Sequence, residues 1–378
     1  MEFELSKEQL TLKSEFNQFA KNEIYPYAGQ FDKDEKVPED LIRKMACNGY
    51  LGAILPEKYS GRDMDAITIG ILNEEIGAAC SSTRSLLTVH GMVELAILKW
   101  GSEKQREYWL SKLASGELIG AFSLTEPDVG SDAKSIQTTA VLAGDNYLLN
   151  GVKKWTTFGQ IAGIFLVFAQ YEGKPTAFLV DRESSGIDIK PIKGLLGIRA
   201  SMSAEIHFEN CILPKENLLG MPGTGLSHVA LHSLDYGRYT IACGSVGIGR
   251  SCLEESIKYS RKRKQFGSSL RQFQLIQKMI SHMAVNVKAA RLLCYNAGYL
   301  KSIGDPDSIM ETWNAKYFAS LMLRKITGDA VQIHGANGCS TEYNVERYFR
   351  DAKIMEIIEG TTQMHELLIA TNTYRHCE

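Results

Sequence analysis

"FQLIQKMISHMAVNVKAARLLC", Phe273 to Cys294, decides the fold. Phe273, Ile276, Ile280, Met283, Val287, Ala290 and Cys294 recur at intervals of three and four. That spacing puts them on one face of a helix, and a seam of that length calls for neighbouring helices to cover it. The next segment, "DSIMETWNAKYFASLMLRKITGDAVQIHG", reads as a second helix, with Ser308 and Glu311 spaced as a capping box. From about Gly225 onward the chain is therefore expected to be a helical bundle.

Upstream the signal changes. Between Ile119 and Leu219, "GIFLVFAQ", "TAFLVD" and "AEIHFENCILP" are short β-branched and aromatic runs bounded by Gly, Pro, Asp or Asn. "NYLLNG" followed by "VKKW" reads as a strand and a turn. A small β-barrel or sandwich fits this stretch. The first 117 residues read as helical: Ser6 is a candidate N-cap ahead of Leu10, Leu12, Phe16 and Phe19, and Ser102 opens an amphipathic segment. The expected fold is α+β, with a helical domain over 1–118, a β domain over 119–224 and a helical bundle over 225–378.

Bulk properties narrow the function. The 378 residues are 44% apolar and 23% charged, ordinary for a soluble globular protein, and a net charge of −2 gives no footprint for nucleic acid or an anionic membrane. No apolar run approaches a membrane span, and "MEFELSKEQL" is unlike a signal peptide, so a cytoplasmic protein is expected. The eight cysteines form no CxxC pair and most sit in apolar surroundings, which suits reduced, packed thiols. The eight histidines form no HxxxH or HExxH cluster, so no metal is expected.

Several loops carry candidate chemistry, each against a plainer reading. "AFSLTEPDVGSDAKS", Ala121 to Ser135, suits a phosphate or a polar ring edge, or is a decorated turn. In "KKWTTFGQIA", Trp155 and Thr157 alternate along a strand and would share a face fit for a flat cofactor, although a lone strand Trp is more often core. "YSRKRKQFG" is a solvated basic face or a phosphate grip through Arg261, Lys262, Arg263 and Lys264. "QIHGANG" places Gly335 and Gly338 after a helix, as a C-cap or as a close backbone approach to phosphate. "GSVGIG", Gly244 to Gly249, lacks the GxGxxG spacing and a preceding strand, so its glycines are expected to let helices pack closely. Finally, "AKIMEIIEGTTQ" sets Glu359 after Ile357 and Ile358, an awkward place for an acid unless desolvation serves it.

Together and in this order, "SLTEPDVGSD", "KKWTTFG", "RKQFG", "QIHGANG" and "YFRDAKIMEIIEGTTQ" resemble the acyl-CoA dehydrogenase family across essentially the whole chain. The resemblance implies an N-terminal helical domain, a central β domain and a C-terminal four-helix bundle, assembled as a homotetramer or homodimer with FAD between β domain and bundle. Phe122, Leu124 and Thr125 would meet the flavin ring, and Gly130 and Ser131 the pyrophosphate, with Ser131 also near substrate. Trp155 would pack on the isoalloxazine and Thr157 would bond near N5. Arg263, Phe266, Gln274, Gln332 and Gly335 would serve the partner subunit's FAD, and Thr361 and Gln363 would contact FAD after the turn. Asp235, Arg238 and Gly360 lie where the family contacts its acyl thioester.

Glu359 would be the base that takes the Cα proton while hydride leaves Cβ for flavin N5. A ribityl hydroxyl and the Glu359 backbone N–H would polarise the thioester carbonyl. Ile357 and Ile358 would desolvate the base and raise its pKa. Two departures stand out. Ala336 replaces a glycine or serine and should be tolerated, whereas Phe158 would narrow the site near the flavin.

Within the family, "SLLTVHGMVELAI", "KKWTTFGQIAGIFLVFA", "GLLGIRASMSAE", "LDYGRYTIACGSVGIG" and "MEIIEG" resemble the branch that acts on acyl carrier protein in polyketide extender-unit biosynthesis. That branch makes methoxymalonyl, hydroxymalonyl or aminomalonyl units from a glyceryl or seryl group. The alternative is a short-chain acyl-CoA dehydrogenase that passes electrons to an electron-transfer flavoprotein. A catalytically silent flavoprotein is disfavoured by Glu359, Thr125, Trp155 and Thr157 occurring together, and an oxidase or monooxygenase by the presence of Glu359.

Overall fold

The computed structural model describes residues 4–376; Cys377 and the first three residues of the acidic N-terminal stretch lie outside them. Six helices come first: α1 (Lys7–Phe19), α2 (Ala28–Asp34), α3 (Glu39–Cys47), α4 (Ala66–Ala79), α5 (Ser81–Trp100) and α6 (Glu103–Ala114). Two of them start as their sequences require. The Ser6 hydroxyl accepts from Gln9 N at 3.1 Å while the Gln9 side chain accepts from Ser6 N at 3.0 Å, and Ser102 with Gln105 repeats the arrangement.

The strands follow: β1 (Gly120–Ser123), β2 (Thr139–Ala143), β3 (Asn146–Thr156), β4 (Ile164–Tyr171), β5 (Lys174–Asp181), β6 (Ile187–Pro191), β7 (Ala204–Pro214) and β8 (Leu218–Leu219). Their order is β6-β7-β3-β2-β4-β5-β8, with β1 parallel to β4. Only Thr139↔Gln170 joins β2 to β4, so the sheet folds there into a sandwich of two halves. Phe165, Val167 and Ala169 face inward to meet Leu149, Ile206 and Phe208 of the other half. Ile164, Leu166 and Phe168 face outward against Val93, Ile97 and Leu110 of the helical layer. "GIFLVFAQ" is unbroken in apolar character because both its faces are covered. "NYLLNG" and "VKKW" are not strand and turn. They form one strand, β3, interrupted by register shifts at Gly151 and again between Lys153 and Thr156.

The bundle is built from α7 (Leu231–Lys262), α8 (Gln274–Ser302) and α9 (Ser308–His334), with α10 (Asn344–Met355) and α11 (Thr362–His376) packed on α9. A two-strand hairpin, β9 (Lys264–Gln265) and β10 (Ser268–Ser269), turns the chain from α7 to α8. Met283, Val287, Ala290 and Cys294 are buried in the common core, as their spacing requires. The Ser308–Glu311 capping box does not form. Asp307 holds the N-cap position, and the Glu311 carboxylate instead accepts from Asn296 Nδ2 at 3.0 Å and Asn314 Nδ2 at 3.1 Å.

"GSVGIG" lies inside α7 and packs helices. A Cβ on Gly247 would run into the Glu74 carbonyl oxygen of α4, and one on Gly244 would meet the Arg84 side chain of α5 at 2.9 Å. Five cysteines, 80, 211, 243, 252 and 294, are buried free thiols, while Cys47 and Cys339 are exposed. Among the described residues no helix is long and apolar enough to cross a membrane, and no group of three or more His, Cys, Asp or Glu could hold a metal.

Candidate active site

Glu359 lies in the turn between α10 and α11 with φ of 56°, a left-handed conformation that costs of order 1–3 kcal/mol outside glycine. Two cations hold that turn. Arg238 Nε of α7 donates to the Glu359 carbonyl oxygen at 3.0 Å, and Lys316 Nζ of α9 donates to the Gly360 carbonyl oxygen at 2.7 Å. Gly360 continues the turn at φ 97°, where a side chain would be strained. The Glu359 and Gly360 N–H groups make no hydrogen bond among the described residues, which leaves them free for a ligand.

The Glu359 side chain is half-buried as a whole, but its Oε2 is enclosed and has no hydrogen-bond partner among the described residues. It rests on α7: a Cβ on Gly237 would meet Oε2 at 2.7 Å and Met92 Sδ of α5 at 3.1 Å. Burial pushes the carboxyl up to about 7, against the opposing pull of Arg238, then Lys316, then Arg84. Ile357 is not the desolvating neighbour, since it is 50% exposed, and Ile358 packs against the bundle core. The enclosure comes from helices remote in sequence.

The three cations are themselves unusual. Burial lowers Lys316 to about 7 and Arg84 to about 10. Arg84 is fully buried, donates through Nη1 to Thr88 Oγ1 at 2.8 Å, and leaves Nε without a partner among the described residues. Thr88 continues to Thr240 at 2.9 Å, whose hydroxyl donates to the Gly237 carbonyl oxygen at 3.0 Å. A hydrogen-bonded chain thus links Arg84 to the residue on which the Glu359 carboxylate rests. Asp235, expected beside the acyl group, pairs with Lys301 of α8.

A second set of expected residues gathers at the edge of the sandwich. Lys153 of β3 is completely buried and donates to Leu124 O at 3.0 Å and Glu126 Oε1 at 2.6 Å. Burial raises the Glu126 carboxyl, but Lys153 and the Gln137 and Thr138 N–H groups outweigh it and hold the pKa low. This pair fixes the loop that carries Leu124, Thr125, Gly130 and Ser131. Thr125 O also accepts from Lys154 N at 2.8 Å, tying the loop to the end of β3. Phe122 packs against Phe168 with ring centroids 5.1 Å apart and the planes tilted by 53°, and Leu124 is buried in the same outward core.

Trp155 and Thr157 do not alternate along a strand. β3 ends at Thr156 after a register shift, and Trp155 takes φ of 62°, which turns it out of the strand pattern and leaves it 51% exposed. Thr157, in the following turn, is half-buried. Phe158 does not narrow this face: it is fully buried in the core of the N-terminal helices with Ala200 and Met202.

The remaining expected residues lie elsewhere. Arg263, Phe266 and Gln274 are exposed around the α7–α8 hairpin, Phe266 at 94%. Gln332 and Gly335 are exposed at the end of α9, which stacking of Tyr259 on His334 at 4.2 Å holds against the end of α7. Thr361 stays half-buried and accepts from Met364 N at 3.3 Å at the start of α11, and Gln363 is exposed. The structure therefore brings Glu359, Gly360 and Arg238 together, gathers Leu124, Thr125, Trp155 and Thr157 at one sheet edge, and leaves Arg263, Phe266, Gln274, Gln332 and Gly335 on an outer corner. Sequence reasoning missed Arg84, Gly237 and Lys316. Their only signal is a charge or glycine inside an apolar helical run.

Comparison with known proteins agrees with this layout. The models of the acyl-CoA dehydrogenase N-terminal, middle and C-terminal domains match residues 6–117, 121–211 and 223–374. The "Acyl-CoA dehydrogenase, short-chain specific" of Clostridium acetobutylicum is 37% identical over 99% of this chain and all of its own length. A chain in a structure of the electron transferring flavoprotein of Acidaminococcus fermentans is 38% identical with a TM-score of 0.96, covering 99% of this chain and 100% of that one. The prolyl acyl carrier protein oxidase AnaB is 31% identical with a TM-score of 0.92, covering 98% and 100%. FkbI, described for biosynthesis of a methoxymalonyl extender unit, is 28% identical with a TM-score of 0.88, covering 96% and 99%.

Proposed function

This chain belongs to the acyl-CoA dehydrogenase family, whose members are FAD-dependent oxidoreductases acting on CH–CH bonds, and from that premise we propose that it dehydrogenates a short acyl thioester with Glu359 as base. One observation carries the assignment: an enclosed carboxylate oxygen, without a partner among the described residues, on a turn whose carbonyls are held by Arg238 and Lys316. A base must be deprotonated yet basic, and a carboxyl raised to about 7 meets both needs near neutrality. The Glu359 N–H, without a partner among the described residues, would donate to the thioester carbonyl oxygen as negative charge grows on it, which acidifies the neighbouring Cα.

The residues fit FAD. Trp155 offers an exposed indole at a strained backbone, Thr125 and Thr157 are half-buried nearby in sequence and sheet, and a Cβ on Gly130 would meet nothing within 4 Å, so the loop is open to a phosphate. When bound, FAD accepts the hydride from Cβ. Arg263, Phe266, Gln274, Gln332 and Gly335 would hold the FAD of a second copy in a homo-oligomer, an arrangement their exposure supports.

On the substrate, the short-chain-specific relative favours the acyl-CoA reading over the carrier-protein reading, and the Acidaminococcus structure favours an electron-transfer flavoprotein as acceptor. The likeness to AnaB and FkbI keeps a glyceryl or seryl group on an acyl carrier protein as the second reading. Anaerobic flavin reduction with butyryl-CoA against glyceryl- and seryl-carrier protein separates them. Faster bleaching by butyryl-CoA supports the first reading, faster bleaching by a carrier-bound group supports the second, and no bleaching by any thioester overturns the dehydrogenase assignment.

A further inference from the structure

Ile198 is a β-branched residue in the left-handed region, at φ 45°, where glycine alone sits without cost. It lies in the loop of residues 192–203 between β6 and β7, and Met202 of that loop is left-handed too, at φ 47°. The turn this loop holds carries two more such residues, Trp155 and Phe158, at 62° and 56°. Strain of this kind persists only where surrounding contacts over-determine the backbone, and it gathers where geometry serves function. The contacts here run from the bundle to the turn after β3.

One end of the loop is fixed to α10, the helix that leads into the Glu359 turn. The buried Asp351 carboxylate accepts from the Ile198 N–H, its only hydrogen bond among the described residues. The Ile198 side chain lies in the bundle core with Tyr348, Ala352 and Met355. A Cβ on Gly197 would meet Asp351 N at 2.8 Å, so the loop and helix backbones touch, and Arg350 Nη1 donates to Leu196 O at 3.2 Å. The other end holds the turn. Ser201 O accepts from Phe158 N at 2.8 Å, Met202 O from Gln160 N at 3.2 Å, and Ser203 O from Gln160 Nε2 at 2.9 Å. Packing alone would not call for a carboxylate at 351. Burial pushes it up to about 6 against the pull of the Ile198 N–H and Arg347, and desolvating it costs more than burying an apolar side chain. What the charge supplies is a stronger acceptor for one N–H than a neutral group would be.

We propose that Asp351 is a positioning residue for the turn that faces the flavin: its hold on the Ile198 N–H keeps loop 192–203 strapped to α10, and the loop keeps Thr157 in register with Glu359. The base and the face that receives the hydride are then aligned through one continuous strap, although they stand on different domains. The proposal rests on the FAD-dependent reading above and adds to it a residue that acts only through others. It holds for either thioester carrier.

The test joins hydrogen exchange on the full chain, read by mass spectrometry, to flavin kinetics. In the wild type, protection of the Ile198, Phe158 and Gln160 amides should agree within about threefold, as expected of one unit that opens together. Asp351→Ala should lower protection of all three at least about tenfold and leave that of Leu166 and Val167 in β4 unchanged. At saturating FAD it should also shift the flavin absorbance band and lower the maximal rate of flavin reduction by butyryl-CoA about tenfold, with KM changed less than about twofold. Asp351→Asn, which keeps an acceptor for the Ile198 N–H, should restore most of the protection and of the rate. Loss of protection at Ile198 with Phe158 and Gln160 unmoved overturns the proposal, as does an Asp351→Ala enzyme with its flavin band and maximal rate unchanged. If Asp351→Ala does not fold, the wild-type exchange decides: agreement within about threefold upholds the strap, and a wider spread overturns it. Wild-type flavin that no thioester reduces removes the dehydrogenase assignment, while the exchange data decide the strap in either case.

Discussion

The turn at Glu359 and the corner at Phe266 are opposite solutions to placing functional residues. The first is finished within one chain: α5, α7 and α9 each supply a cation, two backbone carbonyls are held, and the carboxylate is enclosed. The second is unfinished. Arg263, Phe266, Gln274, Gln332 and Gly335 lie in solvent, with a phenylalanine almost fully exposed. An exposed ring of that size gains about 1.5–3 kcal/mol on burial, so the corner gains from a partner while the turn does not. On the proposed function, the proton chemistry would belong to the single chain and the grip on the cofactor's far end to the assembly.

Four experiments probe that division. The largest effect is expected at the base. Glu359→Gln should lower substrate-dependent flavin bleaching by at least about 10²-fold with FAD content and oligomeric state unchanged, read by stopped-flow absorbance. Unchanged bleaching removes Glu359 from its role. Next is Gly237→Ala. Its new methyl group meets the flexible end of the Glu359 side chain, so the fold should survive while the base is displaced, with a loss of about 10–10² in rate. Loss of soluble protein instead would make Gly237 a packing residue only.

The third is pH. With Glu359 as the proposed base the carboxylate form would be the active one, so the rate should fall roughly tenfold per unit as pH drops below about 7 and level off above it. Arg84→Met removes a cation that favours the carboxylate and should move that midpoint upward, with Arg238 and Lys316 still holding the turn; a midpoint that stays put excludes Arg84 from tuning. The smallest effect on the chemistry is expected at the corner. Phe266→Asp should weaken self-association and FAD retention, measured by light scattering and flavin absorbance, with the pH midpoint of the FAD-saturated enzyme unmoved. A shifted midpoint would break the contrast between the two regions.

Much of this was legible in the sequence. Periodicity in Phe273–Cys294 and the apolar runs in 164–181 mark helices and strands because burial repeats at 3.6 or 2.0 residues whatever the partner. Helix starts at Ser6 and Ser102 were legible for the same reason: a cap is a local hydrogen bond. Ser308 misled because Asp307 precedes it and Glu311 has nearer partners on Asn296 and Asn314. Trp155 misled because a bulge breaks the two-residue alternation, and no local signal in "KKWTT" separates a bulge from a regular strand.

The order of helical, sandwich and bundle regions, the motif set and the identity of the acid at 359 were determined by the sequence alone, since each rests on local pattern or on residue type. What raises the pKa of that acid was decided only by the tertiary structure. Desolvation and electrostatics depend on what lies across space, and the groups that raise and moderate Glu359 come from α5, α7 and α9. Ile357 and Ile358, its neighbours in the chain, contribute little because the turn points one of them to solvent and the other into the bundle.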